Sequence, residues 1–284
     1  MNRNHLLIAV ALGSVACEKG IEAPEGLSDL ALHLFEHFED EDTEEFAAGV
    51  LNVEPIAHDL DLNGSFGDRW IADELEPMTD AQLGSLEKHD GVVWEEQLPR
   101  IGFAESPHPL EDHIPGQLEP NQICIDSGTT KYHARTFVEG EDCFGDQSCD
   151  ELVTTAEIRK ESLIAKVWYD YEKDFRLFEV DKDRTGMMAR GYLPEISWSD
   201  GDNKSWNQIF TMELWIPDAD DPSKTWRYYA IYSYADLGVG DEAYASAVKG
   251  GIEEGFERAD LWIEEPENVE DWCGQDRDYE YDRP

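Results

Sequence analysis

Residues 30–40 read LALHLFEHFED and set His33, Glu36 and His37 in the order H-x-x-E-H. On a helix, His33 and His37 fall on one face four residues apart. That spacing lets two imidazoles bind one zinc ion, with Glu36 in a position to polarise a bound water. The chemistry implied is metal-assisted hydrolysis, which needs a third protein ligand. Glu111 stands at a tolerable distance downstream, although in a chain this acidic some glutamate always will. Two histidines on an amphipathic helix is the reading the sequence favours, so no metal is expected at His33 and His37.

Three further patterns bear on chemistry. In CIDSGTT, the run Asp126-Ser127-Gly128-Thr129 is similar to the loop of aspartic peptidases. Those enzymes need two aspartates sharing a proton, and no second Asp-Ser-Gly or Asp-Thr-Gly occurs, so a turn pinned by the neighbouring Cys124 is expected. In DLDLNGSFGDRW, the residues Asp59, Asp61, Asn63 and Gly64 reproduce the first half of a calcium loop. Trp70 stands where the bidentate Glu belongs, and calcium is the one cofactor the sequence hints at, weakly. His108, Glu111, Asp112 and His113 cluster in a Pro-rich stretch and are expected to be solvated. Trp168, Trp198, Trp206, Trp215 and Trp226 are candidates to line a pocket, with core packing the expected use.

Sixty-five acidic residues against 22 basic ones give a formal charge of −43 in 284 residues. Such a charge repels phosphate backbones and anionic lipid surfaces, so nucleic acid is not an expected partner. The start, MNRNHLLIAVALGSVACEKG, has Arg3, an apolar stretch and small residues before Cys17, the pattern of an export signal. Removing residues 1–16 and acylating Cys17 would leave four cysteines for two disulfides in an oxidising compartment. Cys143 and Cys149 fit a disulfide clasping a hairpin loop, which leaves Cys124 for Cys273, although two other pairings remain open. The expected location is a bacterial cell envelope, with the membrane touched only through the lipid anchor.

The elements that must position these residues fall into two styles. After a tether at 17–26, residues 27–98 carry 3.6-residue periodicity and read as mostly helical: one helix capped by Ser28, a second in EEFAAGVLNV and a third from Thr79 or Asp80. Residues 99–121 contain Pro107, Pro109, Pro115 and Pro120 and read as an extended linker. Within 122–265 the period becomes two from about residue 131 over seven closely spaced segments, which predicts an antiparallel meander ending in a long helix over DEAYASAVKGGIEEGFERADLWIEE. Trp226, Tyr228, Ala230 and Tyr232 alternate with Arg227, Tyr229, Ile231 and Ser233, so both faces of that sheet should be covered or line a cavity. Gly251 and Gly255 each lower helix propensity by about 1 kcal/mol, and a close approach of the helix to the sheet would explain them. Residues 266–284 form an acidic tail. The fold class is therefore α+β, with an N-terminal helical segment followed by a meander sheet covered by a C-terminal helix.

The run RTFVEGEDCFGDQSCDELVTTAEIRKESLIAKVWYDYEKDFRLFEV, with HFEDEDTEEFAAGVLN upstream, resembles uncharacterised exported lipoproteins of myxobacteria-like bacteria. That resemblance implies localisation and no activity. The order of strands followed by a long covering helix resembles the helix-grip fold of START and birch-allergen-like proteins, which implies an enclosed apolar ligand. His-Leu-Phe-Glu-His resembles the motif of inverted zinc peptidases, in which strands precede the motif; only 16 residues separate Cys17 from His33. The leading functional reading is a non-catalytic, lipid-anchored acidic envelope protein with a binding or surface-interaction role. A helix-grip carrier of an apolar ligand and a metal-dependent hydrolase are the alternatives.

Overall fold

A computed structural model describes residues 22–60, 63–64, 67–72, 75–162, 166–199 and 204–268. The period-two segments pair into one antiparallel sheet. Its strands are β1 (Asn63–Gly64), β2 (Gly67–Ala72), β3 (Arg100–Ser106), β4 (Thr130–Glu139), β5 (Glu151–Glu161), β6 (Lys166–Asp181), β7 (Arg184–Tyr192), β8 (Trp198–Ser199), β9 (Ser205–Pro217) and β10 (Thr225–Asp236). The order across the sheet is β1-β2-β3-β10-β9-β7-β6-β5-β4, with β8 beside β6. From β4 to β10 the chain is the expected meander. The periodic stretches KVWYDY and FRLFEV, two of the seven segments, are continuous in β6.

The helices are α1 (Leu27–Glu36), α2 (Glu44–Asp59), α3 (Leu110–Gln117), α4 (Glu141–Phe144) and α5 (Asp241–Glu264). Side chains alternate across a strand, so each strand feeds two interiors. Toward α1 and α2 the sheet sends Ile101, Phe103, Phe178, Met188, Phe210, Met212, Leu214, Ile216, Trp226, Tyr228 and Tyr232, all buried in one cluster with Leu30, Leu34, Phe35, Phe46 and Val50. Toward α5 it sends Tyr169, Tyr171, Lys173, Ile209, Thr211, Glu213, Trp215, Tyr229 and Ile231. The two-sided covering anticipated from β10 is what the chain adopts, as is the long C-terminal helix over the sheet. Among the described residues no helix is long and apolar enough to cross a membrane.

Several local expectations are corrected. Residues 99–121 are not a linker. Between Pro99 and Pro107, β3 slots between β2 and β10 with nearly every side chain buried. Pro109 then sits at the N-cap of α3, where a missing N–H costs nothing. Pro115 inside α3 is tolerated because Leu110 and Ile114 are buried against Phe144, Phe175 and Trp215. The clustered His108 and His113 are accordingly not solvated: His113 is 3% exposed, and burial holds its imidazole well below the usual range.

In the N-terminal segment, α1 starts after Gly26, and the Ser28 hydroxyl accepts from the Glu76 amide instead of capping the helix. The expected third helix is a single 3-10 turn, Asp80–Gln82, closed by a Thr79–Gln82 capping box. It stops because Gly84 adopts a left-handed φ of +58°. Residues 67–72, expected within the helical stretch, are β2 on the sheet.

Candidate functional site

Helix α5 is fastened to the sheet near both ends. Toward its N-terminus Tyr244 is buried with Val167 and Leu237 and donates a hydrogen bond to Ser233 Oγ at 2.7 Å. Toward its C-terminus Arg227 donates to the Phe256 carbonyl at 3.0 Å and pairs with Asp260 at 2.7 Å, while Trp262 packs on Ile123 and Cys124. Between these clamps Ile252 and Phe256 pack with Ala104, Tyr229 and Ile231 of β3 and β10, and beside that contact the helix leaves a gap over β4, β5, β6 and β9. The gap is a cavity of about 320 Å³, within the size range of small-molecule sites, roughly 300–1,000 Å³.

Gly251 and Gly255 face this gap. A Cβ built on either meets nothing within 4 Å, so the close approach expected to explain them does not occur at these two positions. The glycines enlarge an empty space instead. Apolar walls come from Ile158, Val167, Ile209, Ile231, Val248, Ile252 and Phe256, with Trp206 and Trp215 also facing inward. Trp215, expected as core, is buried in a cluster with Phe144 and Phe175 as well as edging the cavity, and Trp226 is core on the opposite face, where its indole donates to Asp218 at 2.7 Å.

The remaining wall is polar and charged. Asp126, from the Asp-Ser-Gly turn, accepts from His133 Nδ1 at 3.1 Å and from Lys160 Nζ at 2.9 Å. Burial opposes its ionisation, but Lys160 and His133 outweigh that and hold its carboxyl well below the usual carboxylate range. Burial pushes His133 down to about 4, so its imidazole is neutral near neutral pH and donates from Nδ1. This aspartate serves a buried ion pair with Lys160, and among the described residues no second aspartate shares a hydrogen bond with it.

Lys173 pairs with Glu213 at 2.7 Å, and burial lowers its ammonium pKa. The hydroxyls of Tyr171 and Thr211 hydrogen bond at 2.5 Å over Gly191, where a Cβ would strike the Tyr171 oxygen at 2.1 Å. Arg135 donates to the Gln117 carbonyl and stacks on Phe175 at 5.3 Å, and burial pulls its guanidinium down to about 10. Sequence reading missed Arg135, Lys173 and Glu213. The signal was available in phase: Lys173 is in register with Tyr169 and Tyr171, and Glu213 with Ile209 and Thr211, so charges sit at inward-facing positions of strands.

The candidate zinc histidines lie elsewhere, between α1 and α2. His33 and His37 have ring centroids 4.3 Å apart, and Glu45 of α2 joins them so that one ligand atom from each lies within 4.8 Å of the others. The nearby third carboxylate is therefore Glu45; Glu111 lies on α3. This donor set could take a divalent cation, yet each imidazole already has a protein partner. His33 Nε2 meets the Glu45 carbonyl at 3.0 Å, and His37 Nδ1 meets Asp40 at 2.6 Å. Gly49 makes room for the His33 ring, since a Cβ there would lie 2.9 Å from it. Glu36 is exposed and belongs to no such group among the described residues.

Of the calcium pattern, Asp59 ends α2 and Asn63 and Gly64 form β1, while Asp61 lies outside the described residues. A disulfide joins Cys143 to Cys149 around α4, the loop between β4 and β5. Cys124 is disulfide-bonded as well. Cys17 and Cys273 lie outside the described residues, as do the leader and the acidic tail from 269 onward.

No protein-family model matches the chain, and no curated protein matches it. Solved structures do. The STAR-related lipid transfer protein from Xanthomonas axonopodis is similar over 62% of this chain and 90% of its own, with 9% identity and a TM-score of 0.43. A START superfamily protein from Mycobacterium smegmatis covers 59% of this chain and 98% of its own (8% identity, TM-score 0.36). The lipid transfer and protein localization domain of human StarD13 covers 70% and 84% (12% identity, TM-score 0.36). What the cavity of the present chain holds is read from its own walls.

Proposed function

We propose that the protein binds a small apolar or amphipathic molecule between the sheet and α5, acting as a carrier or receptor and not as a catalyst. The observation that carries this reading is the pair Gly251 and Gly255. Each lowers the helix propensity of α5 by about 1 kcal/mol relative to Ala, and neither is offset by packing, because open cavity lies beside both. A space that helix and sheet keep open at that cost is one an occupant can fill. Its apolar walls suit a hydrocarbon body and its polar wall suits a head group.

Filling the cavity from the helix tests the proposal. Leucine is a good helix former, so the double variant Gly251→Leu, Gly255→Leu should melt no lower than the wild type while its affinity for the apolar dye Nile red falls at least tenfold. Unchanged Nile red affinity in the folded double variant would remove the cavity as the binding site.

The cellular setting proposed is the bacterial envelope, with Cys17 acylated after export. The leader pattern of residues 1–17 supports it, and the Cys143–Cys149 disulfide is in keeping with an oxidising compartment. Cys17→Ser should move the protein from the membrane to the soluble fraction; an unmodified Cys17 by mass spectrometry would overturn the anchor.

A further inference from the structure

The charged groups lining the cavity do not balance. Lys160 is paired with Asp126, Lys173 with Glu213 and Arg227 with Asp260. Arg135 is 7% exposed, faces the same cavity, and has no carboxylate within salt-bridge distance among the described residues. Its contacts are the carbonyl of Gln117 and the face of Phe175, and its Nε–H has no acceptor. His133 is neutral and adds no charge. Among the described residues the cavity lining thus holds one positive charge in excess: Glu213 and Asp126 act on Arg135 electrostatically, but each is already bonded to a lysine, and the whole protein's formal charge is −43.

A lone buried cation is strongly disfavoured unless something pairs with it. A planar guanidinium with a free N–H edge is matched by a carboxylate, which accepts two parallel hydrogen bonds. We infer that the occupant is an amphiphile with a single anionic carboxylate, whose head pairs with Arg135 while its hydrocarbon body lies along Ile209, Ile231 and Ile252 beneath Gly251 and Gly255. This rests on the carrier reading and narrows it to a ligand class. The hydroxyls of Tyr171 and Thr211, already bonded to each other, give the head group a polar wall without a competing negative charge.

A matched pair of probes separates the two claims. Dodecanoic acid and dodecan-1-ol carry the same hydrocarbon length and differ in the charged head. By equilibrium dialysis at pH 8, the wild-type protein should bind the acid at least tenfold more tightly than the alcohol. Arg135→Met should erase that preference by weakening the acid while leaving the alcohol within twofold, and Arg135→Lys should restore part of it. Equal affinity of the wild type for acid and alcohol would overturn the carboxylate assignment and leave the carrier standing. A preference that survives in Arg135→Met would take the role from this residue. Binding of neither probe would overturn both readings.

A second measurement does not depend on any variant folding. The carbon-13 resonance of carboxyl-labelled dodecanoic acid should titrate at lower pH when bound to the wild type than when free, as a guanidinium partner requires. A bound acid titrating at or above its free value would refute the pairing.

Discussion

On the side facing α1 and α2, Phe35 meets Phe210 edge to face at 5.8 Å and Phe46 meets Phe178 at 5.0 Å. On the side facing α5, the positions beside Gly251 and Gly255 are met by nothing within 4 Å. The same strands supply both interiors, one residue out of phase. Their charges differ too. Under the N-terminal helices, buried Arg190 pairs with Glu39 at 2.7 Å, and Arg184 is gripped by Glu54 and Asp181. Under α5, Arg135 waits without a carboxylate. One interior is filled by its own side chains and the other encloses open space beside Gly251 and Gly255, and on the proposed function that is the difference between a core and a binding site.

The largest expected effect falls on the packed side. Phe46→Ala, at a fully buried position, should destabilise the protein by about 3–5 kcal/mol, the range for Phe-to-Ala in a filled core. Chemical denaturation would show it, and a loss below ~1 kcal/mol would mean the two interiors are not packed differently. Next come the cations. Glu39→Gln leaves the guanidinium of Arg190, itself 4% exposed, facing a neutral amide oxygen in place of a carboxylate and should cost about 1–3 kcal/mol. Arg135→Met leaves no carboxylate behind, so the unliganded protein should be as stable as the wild type or more so. If Arg135→Met proves the more damaging of the two, the contrast between paired and unpaired cations fails.

Titration sharpens the comparison further. His133 is depressed to about 4 in the folded protein, against roughly 6.5 in an unfolded chain. Between those values the unfolded state binds more protons than the folded one, so this residue makes stability fall as pH drops from about 6.5 to 4. Asp174, on the other face, is pushed up to about 6 by burial, and its neighbours Glu172, Glu39 and Glu151 add to the rise against the pull of Arg190. Here the folded state binds the extra proton, and stability falls as pH climbs from about 3.8 to 6. The two slopes oppose each other in the wild type and separate in variants. His133→Gln should flatten the acid side of the melting profile, and Asp174→Asn should raise the melting temperature above pH 6. Identical profiles for the two variants would contradict both assignments.

The smallest effect is Gly251→Ala alone, which should stabilise α5 by up to about 1 kcal/mol, measurable as a small rise in melting temperature. A loss of stability there would mean that the space beside Gly251 is not open.

Much of the architecture was legible from local pattern. Period two from residue 131 onward announced the meander, and the stripe Ala245, Val248, Ile252, Phe256 announced the covering helix, because periodicity is a local property that survives whatever a face packs against. The sequence also carried the cysteine pair at 143 and 149, whose short separation keeps their sulfurs close. Residues 99–121 were misread because prolines were counted without their positions. Pro109 occupies a helix start, where its missing N–H is harmless, and β3 lies between Pro99 and Pro107.

Only tertiary structure decided which inward-facing residues meet filled space and which meet none. Gly251 and Gly255 look the same in sequence whether a helix presses close or stands away; the clamps at Tyr244 and Arg227 hold it away. Likewise Arg135, Lys173 and Glu213 lie on three different strands, and their imbalance exists only once β4, β6 and β9 face one cavity. Local sequence determines period and turn chemistry within a few residues. Pairing of charges and emptiness of a cavity depend on groups brought together across the whole chain.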